Sequence, residues 1–426
     1  MTRYLIIGGS AGGIGAVEAI REVDPTGDII VIDEEQNVAY SRPMLAKYLS
    51  GEVTLEQMLF PTKNFWKKHK VQLYLGRKAV NLDLLQKTVE LENHEKIYFD
   101  KLLIATGSLP SVPNIEGINK KGVYTFRSLT DALQIKEFIA SNKAQKAVIV
   151  GAGLISIGLA EALTKLGLKV TIIGRRNQIL SQILDRKSSE ILEATMKREG
   201  VTIIKGCTVQ RILGKKYNSD FVGAVVLDDG SLIECDLVIF AIGVRPRTEL
   251  AIQAGLKVNR GILTDIYMQT SMPDVYACGD VAEAYDFIYG ANRVIALWPL
   301  ARIGGRVAGY NMAGKKFEYP GGTAMNALNY FGLPIISAGL TNIEDGGGYE
   351  ILVFYDQKRG IYRKIVLRDR IIKGMILIGD VENAGIIFNL MKNKIDVEEF
   401  KHKLIADDFN LMVLPEVLRK QFFRGY

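Results

Sequence analysis

Apolar residues along this chain gather into short continuous blocks, at 4–7, 29–32, 102–105, 147–150, 170–173 and 236–241, that read as buried strands. Between them, the residues from the turn at 8–13 to about Val23, and residues 130–140, 154–166 and 185–199, carry helical patterns. Strand, turn, helix and strand follow one another twice in the same order, at 3–34 and at 145–176. Such alternation predicts an α/β fold with parallel sheets. Residues 71–100 read as short strands with polar turns, and an Asp229-Gly230 turn predicts a hairpin after 222–227. From about Lys316 the pattern changes: TAMNALNYFG, PIISAGL, YEILVFYD, YRKIVLRD and IIKGMILIG predict an antiparallel sheet, with helices at 382–393 and 396–424. The period of two in YRKIVLRD predicts one packed and one solvated face.

The turns inside the repeated unit carry the chemistry. In QKAVIVGAGLISIGLAEALTKLGLKVTIIGRR, Gly151 makes the tight turn, Gly153 lets backbone approach a pyrophosphate, and the helix N-terminus offers N–H groups and partial positive charge. Ser156 stands at the third glycine position, small enough for close helix–strand packing. Where an acid would hold the ribose 2′-hydroxyl of NAD, the chain has Gly174 followed by Arg175 and Arg176. Guanidinium groups without a carboxylate suit a 2′-phosphate, which favours NADPH over NADH; the same arginines also fit a solvated loop. The earlier copy has Gly8, Ser10 and Gly13 at the fingerprint positions and keeps its acid, Asp33, for an adenosine ribose. Two fingerprints imply two dinucleotides, with FAD expected at the N-terminal one.

Three further stretches fit around a flavin. YSRPMLAKYLSGE opens a helix at Arg42-Pro43, although a capped surface helix would look the same. Thr106-Gly107-Ser108 is a small-residue turn that allows backbone to lie against a cofactor. In TSMPDVYACGDVAEA a strand runs into Gly279-Asp280, where the aspartate can bond a ribityl hydroxyl and a following helix would face pyrophosphate. Gly243-Val244-Arg245-Pro246 closes the inserted domain, and Pro110 and Pro113 mark its entry.

At 426 residues the chain needs more than one core. The charged fraction is 24% and the hydrophobic fraction 48%, the composition of a soluble globular protein. The longest uncharged stretch, 147–160, is too short to span a bilayer, and the first strand starts near Arg3 without a secretory leader, so a cytoplasmic location is expected and no membrane partner. Cys207, Cys235 and Cys278 have no C-x-x-C spacing and His69, His94 and His402 no ligand spacing, so no disulfide framework, thiol relay or metal site is expected, and each cysteine is expected to pack as a small apolar side chain. A net charge of +7 suits an acidic electron carrier; without a basic run interleaved with aromatics, nucleic acid is not expected.

The order of FAD fingerprint, ATG turn, NAD(P) fingerprint, GD motif and C-terminal sheet resembles the glutathione-reductase superfamily of pyridine-nucleotide-dependent flavoproteins. Ser41-Arg42-Pro43, Ala241–Pro246 and the tail after Pro320 look like NAD(P)H:rubredoxin or ferredoxin reductases and the flavin modules of nitrite reductases. The resemblance implies an α/β fold of two nested Rossmann-like domains plus a C-terminal α+β domain, with FAD bound by 1–112 and 243–315, NAD(P) by 113–242, and association, as a homodimer, through 316–426. Relatives that use a redox cysteine carry it after the second strand, and residues 37–52 contain none. By position, Lys47 is the lysine that relatives hold near the flavin nitrogen accepting hydride; its usual glutamate partner position is Gly158, leaving Glu161 as a candidate. Residues 296–302 match the stretch that in relatives opens the helix pointing at the flavin pyrimidine, and the resemblance implies that Trp298 shields the ring; it also reads as a core tryptophan.

These features predict hydride transfer from a nicotinamide to FAD, then release of electrons to a rubredoxin- or ferredoxin-like protein. Two alternatives stay open: a flavin subunit of a larger enzyme with iron–sulfur partner chains, and a nucleotide-sensing interaction protein. Direct reduction of oxygen is a further possibility for the same flavin.

Overall fold

A computed structural model of the chain describes residues 1–37, 39–62, 64–343 and 346–423. It divides into two compact units, the first made of 1–111, 127–132 and 244–323, the second of 112–126, 133–243 and 324 onward. In chain order the first unit opens with β1 (Arg3–Ile7), α1 (Ala11–Val23), β2 (Asp28–Asp33), α2 (Leu45–Ser50), β3 (Val71–Leu75) and β4 (Lys101–Ile104). There follow β5 (Val123–Thr125), α3 (Leu129–Asn142), β6 (Lys146–Val150), α4 (Leu154–Lys165), β7 (Lys169–Gly174), α5 (Arg186–Arg198), β8 (Thr202–Lys205) and β9 (Leu237–Phe240). The first unit resumes with β10 (Val275–Ala277) and α6 (Trp298–Met312). The second ends in β11 (Met325–Tyr330), β12 (Leu333–Gly339), β13 (Glu350–Asp356), β14 (Ile361–Arg368), β15 (Ile371–Ile378) and α7 (Ala384–Lys392).

Both units are built on a five-stranded parallel sheet, ordered β10-β4-β1-β2-β3 in the first and β8-β7-β6-β9-β5 in the second. In each, the strand that leads into a fingerprint turn is central and the strand order reverses there, which opens a crevice at its carboxyl end. The interiors of β1, β6 and β9 are fully buried, as their unbroken apolar runs require.

In the first unit α1 and α6 touch backbone to backbone. A Cβ on Gly305 would lie 2.0 Å from the Gly12 carbonyl oxygen, and one on Gly309 2.5 Å from that of Ala16. Outside the contact, Arg302 pairs with Glu18 and Arg306 with Glu22, so the two helices are matched in charge as well as shape.

The C-terminal strands form an antiparallel sheet ordered β11-β12-β15-β14-β13. Three expectations fail here and nearby. Strand β14 is not half-solvated, because residues 362–367 are all buried. Lys364 reaches Asp185 at 3.1 Å, and on the opposite face Arg363 bonds Asp380 at 2.6 Å and Asp407 at 2.9 Å, so alternating cations are buried among carboxylates on both sides. The stretch 396–424 is not one helix: it is broken into the turns Lys401–Ile405 and Leu411–Val413 before the helix Glu416–Phe423, with Asn410 capping one turn and Pro415 interrupting the backbone donors. Cys207 is half-exposed rather than packed, whereas Cys235 and Cys278 are buried.

Two outcomes follow. Gly305→Ala drives a methyl into the Gly12 carbonyl and should destabilise the first unit by roughly 1–3 kcal/mol or more, read as a lower temperature of cofactor release. Asp185 caps α5 through the Ser188 N–H (3.0 Å) and also accepts from the Tyr362 hydroxyl (2.6 Å). Burial raises its pKa, but the bonds from Ser188 and Tyr362 and the charge of Lys364 outweigh this and leave it below the ordinary value. A carboxylate depressed on folding stabilises above its unfolded pKa of about 3.9 and loses that contribution as pH falls through the folded value. The stability gap between the native chain and Asp185→Asn, measured by urea unfolding, should therefore be full at pH 7 and shrink below about pH 4.

Candidate functional site

At the carboxyl end of β1, Gly8 (φ +109°) turns where a Cβ would lie 2.2 Å from the Ala105 carbonyl oxygen, and a Cβ on Gly13 would lie 2.1 Å from the carbonyl of Gly8 itself. Only glycine fits either place. Ser10 is the N-cap of α1 yet makes no side-chain cap, so the first N–H groups of the helix are left for another acceptor. Asp33 ends β2 and accepts from the Gly9 N–H at 2.8 Å and the Glu35 N–H at 2.9 Å. Burial pushes its pKa up, and those two N–H groups partly hold it down.

Next to this turn lies a charged network that the sequence reading found only in part. Arg42 pairs with Glu35, donates to the Tyr40 hydroxyl (3.2 Å), and donates to the Arg127 carbonyl (3.2 Å). Burial opposes its charge, but the Glu35 carboxylate more than offsets this and keeps the guanidinium above its ordinary pKa. Arg127 donates through Nε to the Ser108 carbonyl (2.7 Å) and to Asp280 (3.1 Å), and Ser108 also donates to Asp280 (2.8 Å). Burial dominates at Arg127 and Asp280 only partly offsets it, so its pKa is lowered. A guanidinium whose one carboxylate partner is shared with Ser108 is disposed to hold a phosphate. Glu35, Tyr40 and Arg127 were missed. The signal for Arg127 was the Ser128-x-x-Asp131 capping pattern directly after it, in which the Arg127 and Ser128 N–H groups donate to Asp131.

The predicted helix after Asp280 does not form. Gly279–Val281 is a single 3-10 turn, and Ala282–Asp286 continues as a strand paired with Ala291–Arg293, whose ladder claims the backbone donors. α1 and α6 begin after Ser10 and Leu297, neither of which caps its helix with a side chain. Trp298 opens α6, half-buried and edge-on to Phe60 at 4.7 Å between ring centroids. Its indole Nε1 and the Nε of Arg302, one turn on, are buried without an acceptor among the described residues. Thr106 uses its hydroxyl on the Arg247 carbonyl (3.0 Å), and Gly107 (φ +71°) keeps the turn free of a side chain. Gly8, Ser10, Gly13, Asp33, Arg42, Thr106, Gly107, Gly279, Asp280 and Trp298 thus all belong to the first unit, with open donors and a cradle that a Cβ would fill. These features fit FAD.

The second unit repeats the turn. A Cβ on Gly151 (φ +118°) would lie 2.3 Å from the Ala241 carbonyl oxygen. Ser156 is fully buried, its hydroxyl 3.4 Å from that carbonyl. Around Gly153, the N-cap of α4, and around Gly243 (φ +117°) a Cβ would meet nothing within 4 Å. Both positions are exposed, as are Ile155 and Ile242 beside them. Arg175 and Arg176 are exposed beyond β7, and Arg176 donates to the Ser181 hydroxyl at 2.9 Å. An uncapped helix start between open glycines, with exposed guanidinium groups beyond the strand, fits a dinucleotide.

Pro43 and Lys47 are exposed on the short helical segment that starts at Arg42. Glu161, the candidate partner of Lys47, pairs with Lys165 on its own helix at 3.1 Å. The thiol of Cys278, buried beside Gly12, is pushed up to about 12 by burial, which makes it a poor nucleophile. Among the described residues no cluster of side chains could hold a metal ion, and no helix is long and apolar enough to cross a membrane.

Residues 2–305 match the family described as pyridine nucleotide-disulphide oxidoreductase, and residues 325–395 the rubredoxin NAD+ reductase C-terminal domain. The NADH-dependent phenylglyoxylate dehydrogenase subunit epsilon of Aromatoleum evansii is 32% identical over 95% of both chains. The assimilatory nitrate reductase electron transfer subunit of Bacillus subtilis is 30% identical over 95% of this chain, which spans only 51% of that protein. Among solved structures, the NADH:rubredoxin oxidoreductase of Clostridium acetobutylicum has a TM-score of 0.77 and 27% identity, covering 94% of this chain and 97% of its own.

Arg127→Ala removes the bonds to Ser108 and Asp280, and should weaken retention of FAD by at least about tenfold, measured as flavin fluorescence released on dilution. Retention equal to that of the native chain would remove Arg127 from the site.

Proposed function

Because the chain belongs to the pyridine nucleotide-disulphide oxidoreductase family, and is an FAD-dependent NAD(P)H oxidoreductase, we propose that it passes electrons from the flavin directly to a small redox protein of the rubredoxin or ferredoxin kind. The observation that carries this reading is the pairing of a complete set of dinucleotide turns with the absence of any cysteine from 37–52, joined to a C-terminal match to rubredoxin reductases. Bound FAD would supply a site that accepts hydride from a reduced nicotinamide and releases electrons to the acceptor.

The chain's own residues bind and orient. The uncapped first turn of α1 and the Arg127 guanidinium would hold the FAD pyrophosphate, Asp33 the adenosine ribose, and Asp280 the ribityl chain. The first turn of α6, with the Nε1 of Trp298 unpartnered among the described residues, would lie toward the flavin pyrimidine, where a helix N-terminus favours negative charge by roughly 0.3–1 kcal/mol. Lys47 adds a positive charge from α2. In the second unit Gly151, Gly153 and Ser156 take the nicotinamide dinucleotide, with Gly243 at its edge, and Arg175 and Arg176 favour a 2′-phosphate, so that NADPH is preferred over NADH.

A second reading has its own support. The full-length similarity to an epsilon subunit of a phenylglyoxylate dehydrogenase suits a flavin subunit that exchanges electrons with iron–sulfur partner chains.

Anaerobic addition of NADPH or NADH in parallel should bleach the flavin spectrum, faster with NADPH, and the reduced protein should then reduce rubredoxin or ferredoxin. An unchanged spectrum in FAD-loaded protein would end the reading. Reduction by nucleotide without turnover on any free carrier, together with co-purifying iron–sulfur chains, would favour the subunit reading.

A further inference from the structure

Residues of the C-terminal sheet reach back to the dinucleotide turn of the second unit. Tyr330, the last residue of β11, precedes a two-residue hairpin in which Phe331 (φ +52°) and Gly332 (φ +76°) both take left-handed backbone, and its ladder pairing with Leu333 fixes where the ring stands. Its hydroxyl donates to the Leu154 carbonyl at 3.0 Å.

Leu154 is the first helical residue of α4, directly after the N-cap Gly153, which has no side chain to cap the helix. The Leu154 carbonyl and the Ile155 N–H belong to one planar peptide group, so holding the oxygen fixes the direction of that N–H. The Ile155 N–H is among the helix-initial donors without an intrahelical partner, those a pyrophosphate takes. We infer that Tyr330 is a positioning residue for the nicotinamide dinucleotide, orienting the first peptide of α4 from outside the fingerprint. This rests on the reading of 151–156 as the nicotinamide site. Burial raises the Tyr330 phenol well above its ordinary pKa, so it stays a donor throughout the working pH range.

The same sheet makes a comparable bond elsewhere, from the Tyr362 hydroxyl to Asp185 at the start of α5, which supplies a control. FAD-loaded native protein, Tyr330→Phe and Tyr362→Phe are titrated with NADP+ and NAD+ by calorimetry, with FAD content and unfolding midpoint recorded for each. Tyr330→Phe keeps the ring and should weaken binding of the tighter nucleotide roughly three- to tenfold and raise its KM to match, with kcat unchanged. Tyr362→Phe should leave nucleotide affinity as it was. Unchanged affinity in Tyr330→Phe, or equal weakening in both variants, overturns the inference. If the native protein binds neither nucleotide, the site assignment itself fails, a result distinct from the other two.

Discussion

Two peptide carbonyls decide where a dinucleotide can lie in this chain. Ala105 donates its N–H to the Ile7 carbonyl and Ala241 its N–H to the Val150 carbonyl, each at 2.8 Å, continuing the parallel ladder one step past the central strand. That step brings the carbonyl oxygens of Ala105 and Ala241 to 2.2 and 2.3 Å from where Gly8 and Gly151 would carry a Cβ. With no side chain possible, the backbone turns at once and sets a helix N-terminus over the strand ends. The middle fingerprint position faces the other way. Nothing lies within 4 Å of a Cβ at Gly153, and the side chain of Ser10 makes no bond to the helix, so in both units the donors at the helix start stay open.

Electrostatics then separate the two turns. In the first unit the acid at the end of β2 is retained and two arginines are unequally matched: Glu35 saturates Arg42, whereas Arg127 shares Asp280 with Ser108 and stays below its ordinary pKa. An anion gains most beside the unsaturated one. The second unit has a buried Gly174 in place of the acid, where a Cβ would already touch that of Ala152 at 3.0 Å, so no carboxylate fits there without movement. The cations beyond it are exposed, and their effect on a bound nucleotide is screened by salt to a degree that the buried cluster is not.

What was legible in the sequence was local. Each fingerprint turn is written within six residues, and the strands around it are unbroken apolar runs because both of their faces are covered. Arg127 escaped notice because its partners lie 19 and 153 residues away, and Glu35 and Tyr40 because a carboxylate and a phenol near a turn look like solvated groups until Arg42 is folded against them. The strand at 282–286 was mistaken for a helix start because a Gly-Asp pair suits either outcome, and only its pairing with 291–293 decides between them. In β14 the reading failed because charge was equated with exposure.

That strand shows why consecutive charged residues, one on each face, can still be interior. Arg363 and Lys364 point to opposite faces, and each finds its carboxylates on a different element: Asp380 and Asp407 after the sheet, and Asp185 at the cap of α5. A register slip by one residue would turn each cation to the other face and part it from the carboxylates it now pairs with, and a buried charge that loses its partner costs about 3–5 kcal/mol, far more than an intact buried pair contributes. The alternation therefore acts against misplacement more than for stability. It fixes the sheet against the dinucleotide-binding part of its own unit, and that fixed position is what lets a single tyrosine at the end of β11 reach the first peptide of α4.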